Sequence, residues 1–151
     1  MILLVAKSGS GKDYLVKTLG LRQVVSHTTR APRPGEIDGV DKHFHSANTP
    51  VPVNALVSTR FSGNNYWVVE SDLADRDVFI IDVNGVRNFM RHYGVHFKAK
   101  CTVVYLKCPW YRRLYRMLKR GDSFRAAVQR LIHDAKAFSG IAGIPHKELC
   151  T

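Results

Sequence analysis

Residues 1–19 combine residue types that could bind phosphate groups. They read MILLVAKSGSGKDYLVKTL, which is an apolar run, a small loop ending in Gly11 and Lys12, and a segment compatible with a helix. In such an arrangement the backbone N–H groups of the loop converge on phosphate oxygens, and the lysine reaches the outer phosphates of a nucleoside triphosphate. The predicted phosphate-binding residues are Ser8, Gly9, Ser10, Gly11 and Lys12.

Two positions depart from the usual signature of such a loop, G-x-x-x-x-G-K-[ST]. Ala6 replaces the first glycine, and Asp13 replaces the hydroxyl residue that normally binds Mg²⁺ directly. A carboxylate is also a hard oxygen ligand for Mg²⁺, although it adds negative charge beside a triphosphate. We therefore predict that Asp13 binds Mg²⁺. The alternatives are a loss of activity caused by Asp13, or a plain Gly/Ser turn with a surface lysine.

A second motif, VSHTTRAPRPGEIDG at residues 25–39, carries two arginines in a proline-rich string. Guanidinium groups bind phosphate oxygens bidentately, and Pro32 and Pro34 stiffen the backbone. The string resembles the guanylate kinase signature S-x-T-T-R-x-P-R-x-G-E-x-x-G. In that family ATP occupies the phosphate loop, and the two arginines grip the phosphate of the acceptor nucleotide. The resemblance thus implies that Arg30 and Arg33 bind the acceptor phosphate; the alternative is a solvated basic loop.

The segment FSGNNY, residues 61–66, resembles another motif of the same family, F-x-G-N-x-Y. Its last tyrosine contacts the acceptor phosphate in the family, so the resemblance implies this role for Tyr66. Lys42 stands where the family usually has a phosphate-binding tyrosine. Because its ammonium group can bind phosphate as a point charge, Lys42 is also predicted to bind the acceptor.

The positions that read the acceptor base in this family are only partly retained. Ser26 is retained as a candidate base contact. Val57 falls where the family has a guanine-reading glutamate, and Val68 falls where it has a serine. Valine cannot accept the N1 and N2 hydrogens of guanine, which leaves the base preference open. If the alignment slips in this region, Glu70 is the alternative carboxylate.

Asp82 ends an apolar run, DVFIID, that predicts a buried strand. Ligands of open α/β sheets bind at the carboxyl ends of the strands, so this carboxylate is expected at the ligand-binding edge. IIDVNGV also resembles the family motif D-x-D-x-Q-G, whose second aspartate lies near the acceptor base and the water shell of the metal. The resemblance implies that Asp82 binds the acceptor and Mg²⁺, while Ile80 replaces the first aspartate. The alternative for Asp82 is a helix cap.

Basic residues cluster in residues 112–130. Among them, Arg116, Arg120 and Arg130 resemble the family's lid arginines, which close over the donor phosphates. Such closure expels water and strengthens charge interactions. We predict a lid at about residues 116–130, with Arg120, Arg130 and Lys12 as the catalytic residues and Arg116 as a further candidate. The alternative is a solvated basic helix face.

Short apolar runs alternate with segments of helical periodicity, which predicts a parallel sheet with crossover helices. Strands are predicted at residues 2–5, 23–26, 77–82 and 102–107, and helices at 12–19, 85–92, 110–119 and 123–138. We expect one domain, 1–151, with an α/β three-layer P-loop NTPase fold. Its core would be residues 1–30 and 71–151, and residues 31–70 would form a small β-rich insertion that binds the monophosphate. The tail SGIAGIPHKELCT shows no convincing counterpart of the family's final strand and helix.

The composition limits the classes of partner. With 23 Lys and Arg against 12 Asp and Glu, the net charge is +11, which predicts polyanionic partners. No signature of a nucleic-acid-binding module occurs, so only nonspecific nucleic-acid contacts are expected. No run approaches the ~18 apolar residues that a membrane helix needs. The three cysteines lack metal-ligand spacing, which favours reduced thiols and a cytoplasmic location.

The resemblance as a whole implies a guanylate-kinase-like nucleoside monophosphate kinase. With ATP and Mg²⁺ as cofactors, it would transfer the γ-phosphate of ATP to GMP, dGMP or a related monophosphate. One alternative is a guanylate-kinase-like binding module that has lost catalysis, which Val57, Ile80 and Asp13 favour. The retained phosphate-binding residues oppose it. The other alternative is a nucleic-acid-binding protein that uses the positive charge.

Overall fold

The structure is a computed structural model that describes residues 1–61 and 63–151, with only the backbone of Phe61. Ser62, in the segment that resembles F-x-G-N-x-Y, lies outside the described residues. In chain order the elements are β1 (Ile2–Ala6), α1 (Lys12–Thr18), β2 (His27–Thr28), β3 (His43–Phe44), β4 (Val57–Phe61), β5 (Asn64–Val68), β6 (Val78–Ile81), α2 (Val83–Tyr93), α3 (Phe97–Lys100), β7 (Thr102–Lys107), α4 (Trp110–Lys119), α5 (Phe124–Ala137) and β8 (Lys147–Cys150). Short 3₁₀ helices cover Glu70–Leu73, Gly94–His96 and Ser139–Gly143.

A parallel sheet with the order β6-β1-β7-β8 forms the centre of the molecule. Successive side chains of a strand point to opposite faces, and β1 shows the consequence. Leu3 and Val5 are buried in one apolar cluster with Phe89 of α2. Leu4 belongs to a second cluster with Val16 of α1. Helices therefore cover both faces of the sheet, which confirms the predicted three-layer α/β fold.

A second sheet, with the order β3-β2-β5-β4, is built largely from the predicted insertion. β4 and β5 form an antiparallel hairpin, and β2 pairs with β5 antiparallel and with β3 parallel. The β-rich character predicted for residues 31–70 is thus observed, although β2 brings residues of the preceding segment into the same sheet. Tyr66 of this sheet lies near Lys12, which follows the phosphate loop, because both side chains line one cavity.

Two predictions about the strands are wrong. Residues 23–26 form no strand; Gln23 alone bridges Val78, after which the chain leaves the central sheet to form β2. The tail does contain a strand, because β8 pairs with the open edge of β7 through backbone hydrogen bonds. All four residues of β8 are exposed, so the tail shows no alternation of apolar and polar side chains that would predict a strand.

The remaining predicted strands and helices are observed with small shifts of their ends. α2 begins two residues before the predicted start, because Asp82 caps it through a hydrogen bond from the Gly85 N–H to Oδ1 at 2.6 Å. α5 is capped in the same way by Ser123, which accepts from the Ala126 N–H. Within the described part of the chain, no helix has the length and apolar character needed to cross a membrane.

Gly85 offers a test of the packing between β6 and α2. A Cβ atom on Gly85 would lie 2.3 Å from Cγ1 of Ile81, so the Gly85→Ala variant should be overpacked. We expect its free energy of unfolding in urea to fall by about 1–3 kcal/mol. Gly143→Ala is the matched control, since no atom lies within 4 Å of the added methyl group. Equal stabilities of the two variants would contradict the predicted contact.

Candidate functional site

The phosphate loop, residues 7–11, joins the carboxyl end of β1 to α1. Gly9 and Gly11 have φ angles of +73° and +89°, which residues with a Cβ atom rarely adopt. A Cβ atom on Gly9 would also lie 2.7 Å from the backbone oxygen of Arg113 in α4. Both glycines are therefore required by the conformation of the loop, and Gly9 is also required by its close contact with α4.

Two buried charged side chains hold the loop at Ser8. The Ser8 N–H donates to Oδ2 of Asp134 at 2.8 Å, and Nε of Arg113 donates to the Ser8 backbone oxygen at 2.8 Å. Arg113 and Asp134 also form an ion pair, and their side chains are only 5% and 3% exposed. The Ser8 N–H is therefore engaged by the protein rather than directed at a ligand.

Lys12 and Asp13 follow the loop as a pair. Nζ of Lys12 donates to Oδ2 of Asp13 at 3.1 Å, and the Asp13 side chain is 74% exposed. In residues 1–61 and 63–151, no three His, Cys, Asp or Glu side chains converge as a metal-binding group. Mg²⁺ usually takes one or two carboxylates and completes its coordination with water and substrate phosphates. An exposed carboxylate beside the phosphate loop is compatible with that donor set.

The second motif is fixed by hydrogen bonds to β5. The Thr28 hydroxyl donates to the Asn65 backbone oxygen at 3.0 Å, and the Asn65 N–H donates to the Thr29 hydroxyl at 2.9 Å. Arg30 then binds both carboxylate oxygens of Glu36, at 2.9 and 2.8 Å. The Arg33 N–H donates to the same carboxylate at 2.8 Å. Glu36 therefore binds the side chain of Arg30 and the backbone of Arg33.

A cleft of about 250 Å³ lies between the two sheets and the phosphate loop. Six of the predicted site residues line it, namely Ser8, Lys12, Ser26, Lys42, Tyr66 and Asp82. The others do not line this cavity: Gly9, Ser10, Gly11, Asp13, Arg30, Arg33, Arg120 and Arg130. Residues from the phosphate loop and from the second sheet thus line one cavity.

The two valines that replace base-reading residues face each other across β4 and β5. Val57 and Val68 are register partners in the antiparallel pair, both are buried, and both line the cleft. Glu70, the alternative carboxylate, does not line the cleft; it accepts a hydrogen bond from the Tyr93 hydroxyl at 3.2 Å and lies 4.0 Å from Nε2 of His92. One end of the cleft is therefore an apolar wall.

Lys42 lines the cleft together with Lys12. Its Nζ donates to the Ser26 hydroxyl at 2.8 Å. Burial, followed by the nearby positive charge of Lys12, lowers the pKa of Lys42 to about 8, and the charge of Arg30 acts in the same direction. Lys42 therefore lies within electrostatic range of both the phosphate loop and the second motif.

Asp82 lies at the end of β6, where it caps a helix and also borders the cleft. Its Oδ1 caps α2, and the side chain also lines the cleft. Burial raises the pKa of Asp82, although hydrogen bonds from the Gly85 and Asn84 N–H groups oppose this shift. Ile80 lines the cleft beside it, so the strand end presents one carboxylate.

The predicted lid arginines are bound to protein acceptors in this structure. Asp122, in the turn between α4 and α5, contacts Arg120 at 2.6 Å and Arg130 at 3.7 Å. Nη1 of Arg116 donates to the Ser10 backbone oxygen at 2.9 Å. Burial and then the charges of Arg30 and Arg130 lower the pKa of Arg33. The second motif and the lid therefore lie within electrostatic range of one another.

The sequence did not predict that Glu36, Arg113 and Asp134 bind residues of the two motifs. A signal for Asp134 exists in the helical period, because it lies seven residues after Ala127 and both are buried on one face of α5. Arg113 likewise lies four residues before Met117 in α4, and both residues are buried. A charged residue on the buried stripe of an amphipathic helix indicates a specific partner, but the sequence does not reveal which one.

The sequence and the fold are similar to those of known proteins. No family model matches the sequence. The chain is 33% identical to a guanylate kinase of Thiobacillus denitrificans, in an alignment covering 93% of this chain and 76% of that relative. It is 30% identical to a guanylate kinase of Nitrosococcus oceani, covering 91% and 73% of the two chains. The fold is similar to the crystal structure of guanylate kinase from Anaplasma phagocytophilum, with a TM-score of 0.66 and 20% identity, over all of this chain and 76% of that one.

The pKa of Lys42 leads to a prediction about proton uptake. Without a bound nucleotide, the Lys42 side chain is about half protonated at pH 8. A bound phosphate dianion should favour the protonated form and so restore its full positive charge. Acceptor binding at pH 8 should therefore take up about half a proton, and acceptor affinity should fall as the pH rises above 8. Calorimetry in two buffers of different ionisation enthalpy measures the uptake.

Two variants separate Lys42 from other groups that titrate near pH 8. Lys42→Arg should abolish the uptake, because arginine stays charged throughout this range. Lys17→Arg, at an exposed lysine of α1, should preserve it. Proton uptake that persists in Lys42→Arg would show that another group is responsible.

Proposed function

The chain belongs to the guanylate kinase family, and we propose that it is an active ATP-dependent nucleoside monophosphate kinase. The observation that carries this proposal is the position of Lys42. It lines the same cleft as Lys12, and its charge interacts with Lys12 of the phosphate loop and with Arg30 of the second motif. A cation in this position can attract the phosphates of donor and acceptor towards each other. We infer that the acceptor is GMP, dGMP or a related monophosphate.

In this mechanism the donor phosphates of ATP bind at residues 9–12, because the backbone groups of Ser8 already bind Asp134 and Arg113. Lys12 would neutralise the β- and γ-phosphates, and the backbone N–H groups of the glycine-rich loop would bind their oxygens. The Ser10 hydroxyl is buried and has no hydrogen-bond partner among the described residues. An unpaired polar group in this loop supports the proposal that the loop is completed by a ligand.

The acceptor monophosphate would bind on the other side of the cleft. Arg30 and Arg33 would hold its phosphate, with Tyr66 and Lys42 as further contacts, and Ser26 and Asp82 would face the nucleoside. The phosphate would compete with Glu36 for Arg30, because both oxygens of Glu36 accept from Nη2 of Arg30. Phosphoryl transfer then needs the two phosphates in line, with little covalent chemistry by the protein.

The metal and the lid complete the charge balance. Asp13 and Asp82 would hold Mg²⁺, which would supply positive charge to neutralise the phosphate oxygens. Arg120 and Arg130 would exchange Asp122 for the transferred phosphoryl group when the turn between α4 and α5 closes. Preorganised positive groups of this kind stabilise the charge of the transition state.

Lys12→Met tests the donor site. We expect turnover to fall by about 10²–10³-fold, because removing one such transition-state contact costs about 2.7–4 kcal/mol. Monophosphate binding should remain nearly unchanged, since the acceptor phosphate has its own arginines. The measurement is coupled ADP release with GMP, dGMP, AMP, UMP and dTMP.

Lys17→Met is the matched control, because Lys17 is exposed in the same helix. It should retain wild-type turnover. A Lys12→Met variant that keeps most of the activity would exclude the assigned role of the loop. A wild-type protein that turns over none of the five monophosphates would instead favour the inactive binding module.

The apolar wall leads to a prediction about base preference. Wild-type protein should select GMP only weakly over dTMP and the other monophosphates. Val57→Glu with Val68→Ser should raise the preference for GMP at least tenfold in kcat/KM, because sites that read polar edges discriminate well. The serine supplies a polar neighbour for the new carboxylate across the strand pair.

Val53→Glu is the control for added charge, since Val53 is fully exposed. It should leave the ratio of kcat/KM values unchanged. Strong selection of GMP by the wild type, with no gain in the double variant, would show that another group already reads guanine.

A further inference from the structure

We propose that Arg113 and Asp134 are positioning residues that set the phosphate loop for ATP and couple it to the lid. This proposal rests on the assignment of the loop to the donor nucleotide. Neither residue is among those predicted from the sequence to bind a nucleotide or to act in catalysis. The ion pair, with Ser8 as its third member, is called the loop clamp below.

The loop clamp satisfies both backbone polar groups of one loop residue. Asp134 accepts the Ser8 N–H at 2.8 Å, and its other oxygen is 3.4 Å from the Ser8 hydroxyl. Arg113 donates through Nε to the Ser8 oxygen at 2.8 Å, and through Nη2 to Asp134. Three chain segments that are distant in sequence therefore meet in one closed ring of hydrogen bonds.

Stability alone is a weak explanation for such a pair. The desolvation of two buried charges offsets most of their attraction, and well-packed apolar residues often stabilise a fold equally well or better. What an apolar pair could not provide is a fixed direction for the Ser8 N–H and carbonyl groups. The loop clamp therefore provides geometry: it holds the first part of the loop, so that the following N–H groups keep their orientation.

The positions of the pair along α4 and α5 connect the loop to the lid. Arg113 lies three residues before Arg116, and Asp134 lies four residues after Arg130. The loop clamp therefore sits about one helical turn below the lid arginines on each helix. Gly9 packs directly against the backbone of α4 at the same level. The loop clamp thus fixes α4 and α5 to the phosphate loop. The turn between these helices contains Asp122, which binds Arg120 and Arg130.

An apolar double variant separates geometry from stability. Arg113→Met with Asp134→Leu removes both charges without leaving one unpaired. We expect the Kd of a nonhydrolysable ATP analogue and the KM for ATP to rise at least fivefold. The Kd of the monophosphate should stay within twofold of wild type, and the variant should still unfold cooperatively in urea.

The matched control is the pair Arg22 and Asp77, because Asp77 also accepts a backbone N–H at 2.8 Å but lies at the amino end of β6. Arg22→Met with Asp77→Leu should leave the Kd for the ATP analogue within twofold. Asp134→Asn is a second test variant; it retains an oxygen for the Ser8 N–H but loses the charge that orients Arg113. It should also raise the Kd of the ATP analogue while leaving the Kd of the monophosphate within twofold of wild type.

Each outcome decides the proposal. A folded variant whose Kd for the ATP analogue rises less than fivefold would overturn it, and so would equal weakening of both nucleotides. If both test variants fail to fold, the pair serves the fold and the proposal is wrong. Because the Kd for the ATP analogue does not require turnover, this test remains valid if the wild type phosphorylates none of the acceptors, a result that would refute only the proposed activity.

Discussion

Repulsion among the positive side chains around the cleft is the constraint on which the rest of the site depends. It contributes, after burial, to the lowered pKa values of Arg33 and Lys42. Protein carboxylates bind the neighbouring cations and offset part of this repulsion. The pairs are Lys12 with Asp13, Arg30 with Glu36, and Arg120 and Arg130 with Asp122. Phosphate oxygens can accept the same hydrogen bonds as these carboxylates, so the proposed nucleotides would compete with them for the cations.

The fold brings these charges together from remote parts of the chain. The central parallel sheet places the phosphate loop and Asp82 at one edge, as expected for ligand sites of open α/β sheets. The second sheet adds Lys42 and Tyr66 from the opposite side, and also the apolar pair of Val57 and Val68. The part of the cleft proposed to bind phosphate thus retains cationic side chains, whereas the part proposed to face the base is apolar. Specificity is the property in which this chain is expected to differ most from its relatives.

The sequence predicted what local signals can encode. The phosphate loop, the arginine motif, α4 and α5 each carry a periodic pattern or a motif, and each is found close to its predicted place. β8 was missed because its side chains are exposed and its pairing with β7 depends on backbone groups alone. The ion pair of Arg113 and Asp134 was missed because its partners are far apart in the chain, and helical periodicity reveals burial without revealing the partner. Contacts of this kind depend on the completed fold.

Equilibrium binding of both nucleotides together tests most directly whether the cleft holds two phosphate sites. Calorimetry would titrate GMP, and in parallel dTMP, into the protein with and without a saturating nonhydrolysable ATP analogue. We predict that a monophosphate binds once per chain in both conditions. In Arg33→Ala the monophosphate should bind more weakly by about 1.5–3 kcal/mol, while the affinity for the ATP analogue stays within twofold. Competition between the two nucleotides for one site, or equal weakening of both in Arg33→Ala, would contradict the existence of separate donor and acceptor sites.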